Sequence, residues 1–269
     1  MPDQPFILPA LPELRTTSYF GRNIRYYDIG SGPSLVLIHG IGGDADEWAF
    51  CLDALSASHR VIALDLLGFG RSDKPFLAYS IAVFVEVLGA FLRELELARP
   101  TLIGESLGGW IAAAYALQDP QAVDKLILVD AAGVWGDTKD LPVDLHVSTR
   151  QHMSEIMHLL FYDKTLATDA LIDFAYERHL ERGDGFTIHC VLQNLRDGRD
   201  FLDDKIAALK VPALIIWGED DELIPVATGR LIHRLIPNSR LEVIPQCGHL
   251  PALEKPIEFT NCVLNFLRQ

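Results

Sequence analysis

The sequence predicts an α/β fold with a mostly parallel central sheet, because two apolar patterns alternate along the chain. Short continuous apolar runs bounded by turn residues are typical of strands that are buried on both faces. Such runs occur at residues 35–38, 61–64, 101–103, 126–129, 211–217 and 241–244. Segments with helical spacing lie between them, and strands that alternate with helices favour a doubly wound sheet.

Further elements are predicted at the two ends of the chain. Residues 18–20 and 24–28 flank a turn at 21–23 and predict a hairpin ahead of the first parallel strand. The clearest amphipathic helix has its apolar face between residues 81 and 95, and a last helix is predicted at 257–267.

The alternation stops after Asp130, and residues 134–209 read as helices with no strand-like run. We therefore predict a core formed by residues 1–133 and 210–269, interrupted by a helical insert at 134–209. One apolar stripe of the insert recurs at helical spacing and consists of Met153, Ile156, Met157, Leu160 and Phe161. The stripe is interpreted as a packing face, and lining of an apolar substrate cavity is an alternative compatible with it.

Length and charge narrow the classes of function. The 269 residues suffice for one large domain or for a domain with an insertion. Asp and Glu number 37 against 23 Lys and Arg, a formal net charge of −14. A surface of that sign repels phosphate backbones and anionic lipid, so we expect neither nucleic acid nor a membrane as a partner.

The cysteines and histidines show no metal-binding or disulfide spacing, since neither a CxxC pair nor an HExxH motif occurs. We expect free thiols in a reducing compartment, no metal and no cofactor. The first residues lack a signal-peptide pattern, and no apolar stretch reaches membrane-spanning length. A cytoplasmic location is therefore predicted, while association with further copies of the chain stays open.

Residues 104–108, which read Gly-Glu-Ser-Leu-Gly, carry the most informative motif. They follow the apolar run at 101–103 and lead into a segment rich in good helix formers at 110–117. A serine between two glycines at a strand-to-helix turn is the nucleophile-elbow pattern, in which a strained backbone presents the hydroxyl. Glycine is needed because a Cβ would collide with the neighbouring strand and helix. Ser106 is therefore the predicted nucleophile.

A serine nucleophile needs a base, and the base needs an orienting carboxylate. Loops beyond the carboxyl ends of the strands are expected to supply both. The loop at 218–225 follows a strong strand and offers acids, and the loop at 246–251 contains His249. The chain order serine, acid, histidine differs from that of the chymotrypsin and subtilisin types.

Two backbone N–H groups are expected to stabilise the charge that develops on the attacked oxygen. Leu107, directly after the nucleophile, is one predicted donor. The glycine-rich loop at 39–43 is expected to supply the other, with Ile41 preferred to Gly42. His39 is interpreted as a structural residue that orders this loop through its ring nitrogens.

Together these motifs resemble the α/β-hydrolase fold superfamily over nearly the whole chain. They are His-Gly-Ile-Gly at 39–42, Asp-Leu-Leu-Gly-Phe-Gly-Arg-Ser-Asp at 65–73, the serine elbow, the loop at 218–225 and Gly-His at 248–249. In that family the acid usually precedes the loop proline by four residues, which indicates Asp221 rather than Asp220. Asp130 is the rival acid, because some relatives place it at that strand end. The insert resembles the family's cap.

The resemblance implies a serine hydrolase that forms an acyl-enzyme on Ser106, with a small-molecule ester as its partner. Serine in place of aspartate disfavours haloalkane dehalogenases and epoxide hydrolases. Segments 159–163 and 168–171 are similar to the meta-cleavage-product hydrolases, which break carbon–carbon bonds in dienoic acids.

Three residues depart from those carbon–carbon hydrolases. Glu105 stands where they usually have asparagine, and Leu250 where they usually have tryptophan. Their cap arginine, which grips the substrate carboxylate, falls at Ala175, although Arg178 is close. A second carboxylate at Glu105 would repel an anionic dienoate. We therefore expect a carboxylesterase for small or medium acyl chains, with the carbon–carbon hydrolase as the alternative.

Two functions of other classes remain alternatives. Residues 40–45 fit Gly-x-Gly-x-x-Ala after a strand, and Asp65 ends the next strand, as dinucleotide-binding folds require. That interpretation leaves Ser106, Asp221 and His249 unexplained. A non-catalytic binding protein on the same fold would not need all three groups.

Overall fold

Eight strands form the central sheet of the computed structural model, which describes residues 7–134 and 142–269. They are β1 (Arg15–Tyr19), β2 (Arg22–Ile29), β3 (Ser34–Ile38), β4 (Arg60–Leu64), β5 (Thr101–Glu105), β6 (Leu126–Val129), β7 (Ala213–Gly218) and β8 (Ser239–Ile244). Their spatial order is β1-β2-β4-β3-β5-β6-β7-β8. The pairs β1–β2 and β2–β4 are antiparallel and the others parallel, which confirms the predicted fold class. The absence of a signal peptide was predicted from residues 1–6, which lie outside the described residues.

Burial explains why the central strands are continuous apolar runs. Every residue of β5, β6 and β7 is buried. Alternate residues of β3 face different clusters, with Val36 and Ile38 on one side of the sheet and Leu35 and Leu37 on the other. The sheet therefore carries an apolar core on each face, as a doubly wound fold requires.

The described residues contain nine α-helices. They are α1 (Leu52–Ser56), α2 (Ile81–Glu94), α3 (Leu107–Gln118), α4 (Arg150–Leu160), α5 (Asp169–Arg182), α6 (Gly185–Arg196), α7 (Val226–Leu235), α8 (Pro251–Glu254) and α9 (Pro256–Leu267). The predicted helices at 81–95 and 257–267 correspond to α2 and α9. The Ser80 hydroxyl begins α2 by accepting the Val83 N–H at 3.3 Å.

Several predicted boundaries differ from the structure; β1 and β8, for example, begin at Arg15 and Ser239 rather than at residues 18 and 241. Two of the differences follow from the backbone. The predicted strand at 18–20 extends one residue too far, because Phe20 and Gly21 both have positive φ, 45° and 72°, in the tight turn. The predicted strand at 211–217 begins too early: Pro212 has no N–H to donate to a ladder, and β7 starts at Ala213.

The helical segment, defined as residues 142–209, lies between β6 and β7 in the chain. It contains α4, α5 and α6 and no strand. An apolar cluster joins its helices and includes Met153 and Met157 of α4 and Leu171 and Ile172 of α5. Over the described ranges, every helix is too short or too polar to cross a bilayer.

Candidate active site

Close backbone contacts build the turn between β5 and α3. A Cβ on Gly104 would collide with the backbone of Gly108, and a Cβ on Gly108 would collide with the Ile38 carbonyl at the end of β3. Both positions are therefore restricted to glycine, which confirms the collisions predicted from the motif.

Ser106, at the tip of this turn, has a rare backbone conformation. Its φ of 51° and ψ of −114° lie where residues other than glycine seldom occur. The Ser106 N–H donates to the Val129 carbonyl at 2.9 Å, and the Ser106 carbonyl accepts the N–H of Ala132 at 3.0 Å. Although Ser106 occupies the N-cap of α3, its hydroxyl makes no capping hydrogen bond. Unlike the hydroxyl of most serine caps, it does not serve the helix.

Two loops bring His249 and Asp221 together after the parallel neighbours β7 and β8. His249 Nδ1 lies 2.7 Å from Asp221 Oδ2, and both residues are buried. Asp221 Oδ1 accepts the N–H groups of Leu223 and Ile224 at 2.8 and 2.9 Å. The carboxylate is thus fixed in place. With Nδ1–H donating to it, Nε2 is the basic nitrogen of the ring.

Asp130, the rival acid, lies beside this pair. Its Oδ1 accepts the Gly218 N–H at 2.9 Å. Burial and the charge of Asp221 raise the pKa of Asp130 well above its ordinary value. A neutral Asp130 can donate its proton to Asp221, so it supports the acid, and it is Asp221 that bonds the imidazole.

Asp130, Asp221 and His249 are also the one group in residues 7–134 and 142–269 with potential metal-ligand atoms within 4.8 Å of one another. His249 Nδ1 and Asp221 Oδ2 point at each other in their hydrogen bond. A bound cation would require these atoms to turn towards a common centre. The present geometry fits a hydrogen-bonded cluster.

The loop after β3 is ordered by His39, as predicted. Its Nδ1 donates to the Gly40 carbonyl at 2.7 Å, and its Nε2 accepts the Leu66 N–H at 3.0 Å. Burial lowers the pKa of His39 to about 4, so the ring is neutral at physiological pH. Of the predicted oxyanion donors, Ile41 lies on this loop. Leu107 is the first residue of α3, where an N–H has no partner within the helix.

The Asp65 carboxylate is occupied inside the fold, which counts against a dinucleotide site. Its Oδ1 accepts the Ala45 N–H at 2.8 Å, and its Oδ2 accepts the Arg71 backbone N–H at 2.7 Å. The glycine-rich loop leads into a single 3₁₀ turn at Ala45–Trp48. A dinucleotide fold would place a longer helix there to receive the pyrophosphate.

A cavity of about 250 Å³ is lined by both the helical segment and the core. Its lining is mostly apolar and includes Met153, Ile156, Met157, Leu160, Leu171, Phe174 and Ile188. Four residues of the predicted stripe on α4 therefore line the cavity, while Phe161 packs in the cluster with Met153 and Met157. Packing and lining, the two interpretations of the stripe, both apply.

The cavity lies beside the predicted catalytic residues. Ile41 of the oxyanion loop and Leu250, the residue after His249, both line it. Ser106 and His249 are themselves buried, with 7% and 3% of their surface exposed, and do not belong to the lining.

Two arginines of α5 line the cavity, and both pair with carboxylates of the core. Arg178 Nη2 lies 3.0 Å from Asp44 Oδ2 and also bonds Asp46. Arg182 forms an ion pair with Asp44. Ala175 lines the cavity without a charge. Arg178, which lies close to the position of the relatives' cap arginine, is therefore already paired with carboxylates of this chain.

Glu254 supports the loop of His249 and was not singled out in the sequence. It accepts the N–H groups of Gly248 at 2.7 Å and Asp163 at 2.8 Å. In addition, the His249 N–H donates to the Leu160 carbonyl at 2.7 Å. These bonds tie the loop of the base to the end of α4. Glu254 stands in no motif, so its role depends on contacts that local sequence patterns do not reveal.

Glu47 is a second acid that the sequence did not single out. Its Oε1 lies 3.7 Å from the position that a Cβ on Gly40 would take, and Ser106 Cβ lies 3.4 Å from the same position. The sequence signal is its place in an acidic run directly after the glycine-rich loop. That signal does not distinguish a buried carboxyl from a solvated one.

Known proteins with similar sequences point to one family. The alpha/beta hydrolase family matches residues 35–261. The 2-hydroxy-6-oxo-2,4-heptadienoate hydrolase of Pseudomonas putida is 31% identical over 266 residues, which cover 92% of this chain and 93% of that protein.

Solved structures with a similar fold indicate the same family. A variant of the meta-cleavage product hydrolase CumD of Pseudomonas fluorescens has a TM-score of 0.88 and 29% identity, covering 94% of this chain and 97% of that one. An esterase of Exiguobacterium antarcticum has a TM-score of 0.82 and 25% identity, covering 96% and 100%. Since the family match spans most of the sequence, the chain belongs to the alpha/beta hydrolase family.

Proposed function

We propose that the protein is a carboxylesterase for neutral esters with small or medium acyl chains, acting through an acyl-enzyme on Ser106. The observation that carries the proposal is Ser106 at the β5–α3 turn, which has a strained backbone and a hydroxyl that makes no capping hydrogen bond. In the same fold, a buried hydrogen bond between His249 and Asp221 orients a base.

The proposed reaction has two steps. In the first, Ser106 Oγ attacks the ester carbonyl, and its proton passes to His249 Nε2. The N–H groups of Leu107 and Ile41 stabilise the oxyanion, and the leaving alcohol takes the proton from His249. In the second, His249 removes a proton from water, and the resulting hydroxide attacks the acyl carbon. The bond from that carbon to Ser106 Oγ breaks, His249 returns the proton to Oγ, and the carboxylic acid leaves.

Charge around the cavity supports a neutral substrate. Three carboxylates, Asp44, Asp46 and Glu47, and two guanidiniums, Arg178 and Arg182, contribute to the lining. The guanidiniums are paired with Asp44 and Asp46, so a substrate carboxylate would have to displace an existing partner. Burying an additional unpaired anion is strongly unfavourable.

Cavity size supports a short acyl group. Its volume of about 250 Å³ lies just below the usual range for ligand pockets, roughly 300–1,000 Å³. The apolar side chains of α4 and α5 suit an aliphatic or aromatic acyl chain.

The carbon–carbon hydrolase is the second candidate, and similarity to named relatives favours it. Besides the Pseudomonas putida protein, a 2-hydroxymuconate semialdehyde hydrolase of a Pseudomonas species is 32% identical over 259 residues. The names of both proteins describe anionic dienoate-type substrates. The same serine, base and oxyanion donors would serve that reaction.

Side-by-side assays distinguish the two candidates. We expect p-nitrophenyl butyrate to be hydrolysed with a higher kcat/KM than a 2-hydroxy-6-oxo-dienoate, because the paired arginines offer the dienoate carboxylate no free partner. A higher kcat/KM for the dienoate would favour the second candidate. If neither compound were turned over, a non-catalytic binding protein would be favoured.

A further inference from the structure

Glu105, the last residue of β5, is a fully buried acid directly before the proposed nucleophile. Neither of its side-chain oxygens accepts a hydrogen bond from an N–H or hydroxyl group of the described residues. An ionised carboxylate in that position would be a buried charge without a donor, which is strongly unfavourable. The Glu105 carboxyl is therefore expected to carry a proton, and that proton needs an acceptor.

Glu47 provides that acceptor and also contacts the oxyanion loop. A Cβ on Gly43 would collide with Glu47 Oε2. Glu47 Oε1 lies 3.7 Å from the Cβ position of Gly40, which is itself 3.8 Å from the Glu105 backbone oxygen. Interaction with the Glu105 side chain and with the Gly40 backbone lowers the pKa of the Glu47 carboxyl against the effect of burial. Glu47 Oε2, like both Glu105 oxygens, is buried without an N–H or hydroxyl donor among the described residues, as expected for two carboxyl groups that share a proton. Glu47 thus connects Glu105 to the loop that carries Ile41.

Burial and charge favour the proton on Glu105 rather than on Glu47. Burial, followed by the charge of Glu47, raises the pKa of Glu105 well above its ordinary value, so the repulsion of an anionic dienoate that the sequence predicted from position 105 does not arise. Burial raises the pKa of Glu47 less, to about 6, because interaction with the Glu105 side chain and with the Gly40 backbone opposes it. Two carboxyl groups in hydrogen-bond contact cannot both be ionised at low energetic cost.

Other titratable groups around the pair reinforce this state. Asp130 lies near Glu105 and is itself held neutral by burial. Burial raises the pKa of the Cys51 thiol to about 12. The groups that face the pair from its neighbouring elements are Asp130, Cys51, Cys247 and His249. Of these, His249 is the base whose charge favours ionised Glu47.

We propose that Glu105 is a positioning residue that, as a neutral acid, donates a hydrogen bond to ionised Glu47, whose carboxylate holds the Gly40–Gly43 loop and thereby aims the Ile41 N–H. This inference rests on the proposed function, since the aimed N–H serves the oxyanion. Glutamine at position 105 would keep the neutral donor, whereas leucine would remove it.

Kinetics of three variants test the positioning role. We expect Glu105→Gln to keep a kcat close to that of the wild type. For Glu105→Leu and Glu47→Gln we expect kcat to fall on the order of tenfold with little change in KM. That loss is smaller than the roughly 10² to 10³ cost of removing an oxyanion donor outright. Equal losses in Glu105→Gln and Glu105→Leu would overturn the proposal, as would a loss confined to KM.

Infrared spectroscopy tests the proton directly and needs only the tolerated variant. The difference spectrum of wild type minus Glu105→Gln at neutral pH should contain the carbonyl stretch of a protonated carboxylic acid. Loss of carboxylate bands alone would contradict the inference. The spectrum does not depend on turnover. If the protein hydrolysed no ester, the proposed function would be contradicted, while the infrared spectrum would still decide whether Glu105 is protonated.

Discussion

At the scale of single residues, the site depends on which buried acid carries a charge. Asp221 accepts two backbone N–H groups as well as the imidazole, and three donors stabilise a carboxylate. Asp130 accepts one backbone N–H, and burial, followed by the charge of Asp221, raises the pKa of Asp130 well above its ordinary value. The two aspartates of this cluster thus have different surroundings, because three donors converge on Asp221 and one backbone N–H reaches Asp130.

We expect substitutions of the two aspartates to have unequal effects. Asp221→Asn should lower kcat by about 10⁴-fold, as the matching change does in serine proteases, because an amide disrupts the tautomer of the base. Asp130→Asn keeps a neutral donor next to Asp221 and should retain most of the activity. Steady-state kinetics on p-nitrophenyl butyrate measure both. A larger loss in Asp130→Asn would make it the acid of the base.

Buried His39 predicts a loss of stability in acid. Its pKa is about 4 in the folded protein and about 6.5 when unfolded, so the unfolded chain binds its proton first as the pH falls. The contribution of neutral His39 to the free energy of unfolding is complete above pH 6.5. About 3 kcal/mol of this free energy is lost as the pH falls to 4. Urea unfolding of wild type and His39→Asn across this window measures the difference. Parallel loss in both proteins would exclude His39 as the source.

At the scale of elements, the serine turn works because three backbones approach closely. Strand β3, strand β5 and helix α3 meet at Gly104 and Gly108, where a side chain has no room. The approach holds Ser106 in its rare conformation through bonds to the neighbouring strand end. Presentation of the Ser106 hydroxyl is thus a property of the strand–turn–helix unit. A serine at an ordinary helix N-cap would instead use its hydroxyl to accept a backbone N–H of the helix.

A matched pair of glycine substitutions tests this contact. Gly108→Ala should lower the free energy of unfolding by about 1–3 kcal/mol or more, because the new Cβ meets the Ile38 carbonyl. Gly185→Ala, at the start of α6, meets nothing within 4 Å and should be neutral or raise stability by up to about 1 kcal/mol. Chemical denaturation compares them. Equal stabilities would show that the turn tolerates a side chain at Gly108.

Most elements could be predicted because burial on both sheet faces leaves a strong local signal. The runs at 35–38, 101–103 and 126–129 coincide with β3, β5 and β6 within two residues. Errors occurred where a special backbone decides the boundary, at the positive φ of Phe20 and at Pro212. Such boundaries depend on turn geometry, which apolar periodicity does not encode.

At the scale of the whole molecule, the chain joins residues that are far apart in sequence. Arg178 of α5 bonds Asp44 after the glycine-rich loop, 134 positions away. Glu254 joins the loop of His249 to the end of α4. These contacts attach the helical segment to the core and set the charge of the cavity between them.

Contacts of this kind explain what the sequence could not reveal. Ser106, Asp221 and His249 stand in local motifs at strand ends, so they could be proposed from the sequence. The pairing of Arg178 and the contact of Glu47 with Glu105 depend on side-chain directions across distant elements. Apolar spacing and short motifs carry no information about either.

Covalent labelling with a fluorophosphonate, located by peptide mass mapping, tests the central claim most directly. We expect the wild type to carry one adduct on Ser106, because the proposed mechanism makes its oxygen the nucleophile and His249 the base that activates it. The His249→Ala variant should label far more slowly. An adduct on another residue, or equal labelling rates in the two proteins, would contradict the account.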